Sequence, residues 1–379
     1  MSFVEHARSI MKLSIYFFST EDEVSNEDRY EFLFTVAEHA DRVGYHALWT
    51  PERHFQEFGG SYPNPAVLSA ALSRITRRIG LRAGSVVMPH HHPARLVEDW
   101  ALVDQLSGGR VGVCLATGWH KGDFVFYPDR YKDRRKYTFD QVDTLRELWK
   151  GNSVSFDGPY GEDLAVTTFP RPVQREIPLW IVHSSNPDTW IRAGEQGLNV
   201  LSLLDNWDRL EQNINAYREA RARAGHEPNA GTITLGLHTY VGDDDGAVRG
   251  LVREPLSGYL SSFLKQRGGD AALHGESKSI SEQEKKILVD SVFDDMYENR
   301  ALFGTPERCI AMINRLAAIG VNEVACLLDF GLPFATVLEG LPKLDEVLAA
   351  VTDLDHERDR ARNSLQSTGR MGYYAVRRQ

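Results

Sequence analysis

Cysteine is scarce in this chain: Cys114, Cys309 and Cys326 are the three among 379 residues, far apart and set in apolar periodic stretches. A sparse, odd count makes no disulfide framework and offers no metal-ligand spacing, so a reducing, cytoplasmic setting is expected. No apolar run is long enough to cross a bilayer, and residues 13–18 are too short a run for a signal peptide; a first strand is expected there. The formal net charge is −10 and Lys and Arg nowhere cluster into a stripe, so neither nucleic acid nor membrane is an expected partner. There is no G-x-S-x-G elbow, no P-loop and no H-E-x-x-H. Gly108-Gly109-Arg110-Val111-Gly112 precedes or lies within a strand, which rules it out as a dinucleotide fingerprint.

What is present reads as a β/α protein. Eight short apolar or β-branched runs occur, at 12–19, 45–50, 79–88, 110–117, 178–183, 198–204, 232–241 and 321–329. Helical patterns separate them, and eight such units argue for an α/β protein with a closed (β/α)8 TIM barrel. The helix at 26–43 places Tyr30, Leu33, Phe34 and Ala37 on one face and stops at Gly44; others stop at Gly108 and Gly151. Thr305-Pro306-Glu307 opens another, with a cap, a proline in the first turn and an acid at the positive dipole end. One domain over 1–354 is expected, carrying a small irregular rim excursion at 151–177. The polar stretch 265–299, with helix-like 281–297, is a candidate lid. The charge-rich tail 355–379 is expected to trail over the surface or reach a neighbouring subunit.

Functional groups of a barrel gather where strands run into the following loops. Those positions hold Thr50-Pro51-Glu52-Arg53-His54-Phe55, then Met88-Pro89-His90-His91-His92-Pro93, then Ala116-Thr117-Gly118-Trp119-His120-Lys121, then His183-Ser184-Ser185-Asn186-Pro187-Asp188-Thr189. The one-ended clustering weighs more than any single motif. The histidine tract looks like a metal site, but adjacent loop residues point in different directions and no Glu or Cys stands at ligand spacing, so no metal is expected. Ser184, Ser185, Asn186 and Thr189 open a helix, where they suit either an N-cap or an anion such as phosphate. Ala116-Thr117-Gly118 would let a flat ring approach the backbone, or is small merely for packing.

Taken in order, Trp49–Phe55, Gly84–Pro89, Arg95–Asp99, Ser107–Arg110, Ala116–Trp119, Phe156–Gly158 and Phe303–Glu307 resemble the bacterial-luciferase-like flavin-dependent monooxygenases. The Pro-Glu-Arg-His-Phe form and the Gly-Trp-His segment look most like a subgroup encoded beside polyketide and nonribosomal-peptide assembly lines, of the mupirocin type. The resemblance implies reduced FMN and O2 as co-substrates, a flavin C4a-hydroperoxide as oxidant, and a separate flavin reductase. It implies FMN phosphate at Ser184, Ser185, Asn186 and Thr189 and at Arg134 or Arg135, with the ring over Ser85-Val86 and beside Ala116 and Thr117. A non-proline cis peptide is expected at Ser85-Val86. Two departures stand out. Thr117 replaces a phosphate-binding arginine of luciferase, and Arg53 stands where luciferase has a catalytic histidine, while His54 keeps the adjacent position.

His54, Arg53 and His120 are therefore the candidate catalytic residues. A histidine can donate or accept a proton near neutrality, whereas an arginine donates only and suits an oxyanion or carboxylate. The substrate is read as a small organic molecule, free or tethered to a carrier protein, in secondary metabolism, and a homodimer is expected. The alternatives on the same barrel are an F420- or NAD(P)H-dependent oxidoreductase and a catalytically silent flavin-binding partner protein.

Overall fold

The structure, a computed structural model, describes residues 11–18, 26–56, 61–182, 186–273 and 291–352. Strands and helices alternate: β1 (Lys12–Tyr16), α1 (Asn26–Val43), β2 (Ala47–Thr50), α2 (Pro65–Ile75), β3 (Gly80–Val87), α3 (Pro93–Ser107), β4 (Val111–Ala116) and α4 (Arg134–Lys150). After a hairpin of β5 (Val154–Asp157) and β6 (Asp163–Val166) come β7 (Leu179–Val182), α5 (Pro187–Glu195), β8 (Asn199–Leu203), α6 (Trp207–Arg223) and β9 (Ile233–Val241). The described chain closes with α7 (Asp245–Leu273), β10 (Leu302–Gly304), α8 (Pro306–Ala318), β11 (Glu323–Leu327) and a last helix over 334–352.

Strands β1, β2, β3, β4, β7, β8, β9 and β11 pair in parallel in that order, and β11 returns to β1, closing an eight-stranded barrel. All eight expected strands are in it. The short β10 adds an outer parallel pairing to the end of β9, which periodicity did not reveal. Parallel strands covered on both faces are apolar throughout, and β2 and β11 are buried at every position. Local chemistry sets the helix ends. Asn64 and Asn206 accept the first free amides of α2 and α6, Thr305 caps α8 as its sequence implies, and Gly108 and Gly151 end α3 and α4 in the left-handed region.

The N-terminal half of the barrel interior is filled and charged. Buried Glu323 accepts from Arg82, Ser14, Trp49 and Thr234, and the Arg82 guanidinium lies 4.9 and 4.6 Å from the Trp49 and Trp180 rings. Burial works to raise the Glu323 carboxyl, but the Arg82 charge and these hydrogen bonds hold it well below the usual range. In the next layer Tyr16 donates to the Gly84 carbonyl at 2.7 Å. A Cβ at Gly84 or Gly236 would come within 3.2 Å of the Tyr16 ring, so glycine makes room for a large side chain opposite.

Two expected features differ in detail, and two others lie partly or wholly outside the described residues. The excursion at 151–177 contains the regular antiparallel β5–β6 hairpin. Of the stretch 265–299, residues to 273 continue α7 and 291–300 are helical with a π turn at Met296–Arg300, while 274–290 fall outside the described residues, as does the tail 355–379. The non-proline cis peptide is Gly84–Ser85, one bond earlier than expected, where the β3–β4 register shifts.

Candidate active site

The loops after β2 and β3 converge on one carboxylate. Glu52, two residues beyond β2, is buried, and its oxygens accept from His54 Nε2 at 2.8 Å, His91 Nε2 at 2.8 Å and the Val87 amide at 2.6 Å. Burial alone would raise this carboxyl, but His91 and the three hydrogen bonds outweigh it and hold it at about 2. His91 feels the reciprocal effect: burial pulls it down, the Glu52 charge pulls it up, and the rise wins. His90, on the turn Met88–His90, is 7% exposed and its ring packs against Phe124 at 4.7 Å and His54 at 5.8 Å. Neither of its ring nitrogens has a hydrogen-bond partner, and burial pushes it down to about 4. Arg130 braces this loop from outside by donating to the Pro89 and His91 carbonyls.

The structure gathers the three candidate catalytic residues around Asp123, whose carboxyl feels the charge of each, but gives them different partners. His54 lies beside Phe126 at 4.9 Å between ring centroids, its Nε2 engaged by Glu52. The Arg53 guanidinium lies 4.2 Å from the Phe18 ring, and burial lowers its affinity for the proton. His120 has both nitrogens occupied: Nδ1 is 2.8 Å from Asp123 and Nε2 is 2.9 Å from the Gln56 amide. It thus clasps the β4 loop to the β2 loop, which sequence spacing could not show. Around them Phe55, Trp119, Val125 and Phe126 are exposed, forming an apolar rim, and Phe55 holds a φ of 56°, in the region that favours glycine.

The second cluster joins α4 to α5. Arg135 donates to the Thr189 hydroxyl at 2.7 Å, whereas Arg134 donates to the carbonyls of Gly118 and Tyr131 and so braces the β4 loop. Arg135 is thus the one aimed at the α5 end. Asn186 is the α5 cap: its side chain accepts from the Asp188 amide and its carbonyl from the Thr189 amide. Those two amides serve the cap, one of the two roles expected for this helix start. Ser184 and Ser185 lie outside the described residues. Between the clusters, Ser85, Ala116 and Thr117 are half-buried, and Val86 turns its side chain into the core. Gly118 has a φ of 73°, and a Cβ there would meet Val87 at 2.9 Å and Phe124 at 3.0 Å. This small-residue floor with a cation beside it fits a flat ring carrying a phosphate.

Glu52 is the residue sequence reasoning missed, although its motif contained it. The available signal was an acid placed directly after an apolar strand, two residues before a histidine. A cavity of about 520 Å³ opens at the opposite end of the barrel, lined by Arg146, Lys150, Glu176, Asn199 and His226. It lies away from the strand ends where the histidines and Arg53 converge.

A family model described as luciferase-like monooxygenase matches residues 11–323. The oxygenase component of a flavin-dependent trigonelline monooxygenase from Acinetobacter baylyi is 24% identical over 92% of this chain and 97% of its own. An alkanal monooxygenase alpha chain from Aliivibrio fischeri is 26% identical over 75% of this chain and 82% of its own. Among solved structures, the oxygenating constituent of 3,6-diketocamphane monooxygenase from Pseudomonas putida, in complex with FMN, superposes with a TM-score of 0.72 at 20% identity, over 90% of this chain and 98% of that one. That last likeness is one of fold.

Proposed function

The chain belongs to the luciferase-like monooxygenase family, and from that premise we propose that it oxygenates a small organic substrate at its barrel mouth, with His54 handling the proton. It is an FMN-dependent monooxygenase that uses O2. Bound FMN, when reduced, supplies the two electrons for oxygen activation; the protein positions, shields and moves protons. Arg135 and Thr189 hold the phosphate in this reading, and Ser85, Ala116 and Thr117 border the ring. Glu52 fixes the Nε2 proton of His54, leaving Nδ1 as the atom that takes or gives a proton. Arg53 keeps its positive charge and faces negative charge on the substrate. Phe55, Trp119 and Phe126 exclude water and receive an apolar part of the substrate.

The observation that carries this reading is the 2.8 Å Glu52–His54 contact at the strand ends. The test supplies photoreduced FMN, ¹⁸O2 and the substrate that best stimulates oxygen uptake. Wild-type protein is expected to place one labelled oxygen in product, and His54→Ala to divert the consumed oxygen to H2O2, by about 10²-fold or more per turnover. Undiminished labelled product from His54→Ala removes the residue from the mechanism.

Finer points belong to the same proposal. Reduced FMN comes from a separate flavin reductase, a division of labour that the Acinetobacter relative's description as an oxygenase component supports. The Pro-Glu-Arg-His-Phe and Gly-Trp-His segments support a place in secondary metabolism, on a free or carrier-tethered substrate; the sparse cysteines support a cytoplasmic setting and the family resemblance a homodimer.

A further inference from the structure

We infer that Glu52, His54 and His90 form a binding site for a single divalent transition-metal ion of the zinc class, reached from the barrel mouth. One ligand atom from each lies within 4.8 Å of the others. Sequence spacing hides the set, because the carboxylate comes from the β2 loop and His90 from the turn after β3. The second observation is His90 itself. It is 7% exposed, and neither nitrogen is hydrogen-bonded. A neutral imidazole always carries one N–H and one lone pair, so an unpartnered one in the interior points to a missing ligand, ion or water.

The donor chemistry selects the ion. Two imidazoles and one carboxylate suit Zn2+, Co2+ or Ni2+, whereas Mg2+ and Ca2+ prefer oxygen throughout. Donors around a tetrahedral ion with bonds of about 2.0–2.2 Å stand roughly 3–3.5 Å apart, so the cluster needs only modest side-chain adjustment. The ion would replace the proton now held between His54 Nε2 and Glu52, and His54 would carry its proton on Nδ1 instead. The surroundings are those of a supported metal site. His91 and the Val87 amide both donate to Glu52 and fix its carboxylate, as outer partners of metal ligands do. Phe124 and Phe126 wall the His90 ring at 4.7 and 5.7 Å between centroids, giving the set a partly apolar surround. None of this depends on the flavin reading. Its consequence for that reading is inhibition, since metal-bound His54 has no Nε2 proton for Glu52 to hold.

The test uses the full-length protein stripped with a chelator and then titrated with Co2+ alone. A single equivalent is expected to develop the visible absorption of a four- or five-coordinate ion, and Zn2+ to displace it. His91→Asn is expected to weaken Co2+ by about 10–100-fold through Glu52, and His90→Asn by more. Should His90→Asn fail to fold, His54→Asn is read in its place. Absence of the absorption, or equal Co2+ affinity in wild type and the ligand variant, overturns the site. A water molecule held among the three groups would give that overturning result.

Discussion

Glu52 shows how one side chain can organise three others. It faces His54, His91 and the Val87 amide with two oxygens, and its ionised state is secured by those donors despite burial. Replacing it by glutamine keeps the size and one carbonyl oxygen but turns an N–H2 toward an imidazole that has been donating. His54 then loses the partner that fixes its tautomer. We expect Glu52→Gln to lower product per reduced FMN by about 10²-fold, with H2O2 rising in step and the pH profile of turnover displaced. Steady-state product and peroxide assays across pH check this; a variant that is merely less stable, with an unmoved pH profile, would show the residue to be structural only. His120 is held in a comparable way. Asp123 and Gln56 meet its two nitrogens, so it joins two loops by its own side chain.

At the scale of elements, α4 and α5 share a task that neither could perform alone. The helix that follows the β4 loop begins with two arginines of different duty. Arg134 ties down the Gly118 carbonyl, and Arg135 reaches Thr189 at the first turn of α5. Because Asn186 already caps α5, an anion there depends on the guanidinium more than on backbone amides. Arg135→Ala is therefore expected to weaken FMN by ~10-fold, about the worth of one charge-assisted hydrogen bond, while leaving Gly118 braced by Arg134. Equilibrium fluorescence titration of FMN reads this directly. An unchanged affinity would place the phosphate elsewhere.

For the whole molecule, His238 offers a handle on stability. It lies inside the barrel on β9, its ring against Tyr259 and Phe330, and burial pushes it down to about 3. Since its folded-state value is depressed, the unfolded chain takes up the proton first as pH falls below about 6.5. Stability is thus full above that point and declines as pH drops toward 3, by up to about 1.4 kcal/mol per unit of separation. His238→Phe should flatten this acid limb in denaturant titrations between pH 6.5 and 4; an unaltered slope would assign the acid sensitivity to other groups. Much of the architecture was legible from the residues. Parallel buried strands announce themselves as apolar runs, and caps such as Thr305 and Gly108 mark helix ends. Contacts between loops left no such mark. The Glu52–His91 pair spans 39 positions and the Arg135–Thr189 pair spans 54, and neither has a periodic signature. The barrel's packed, ion-paired lower half has one more consequence. With Arg82 and Glu323 stoppering the channel between two tryptophans, the mouth becomes a blind-ended well. Among the described residues that lower end offers no exit, so whatever settles deepest at the mouth arrives first and departs last, and binding order follows from depth.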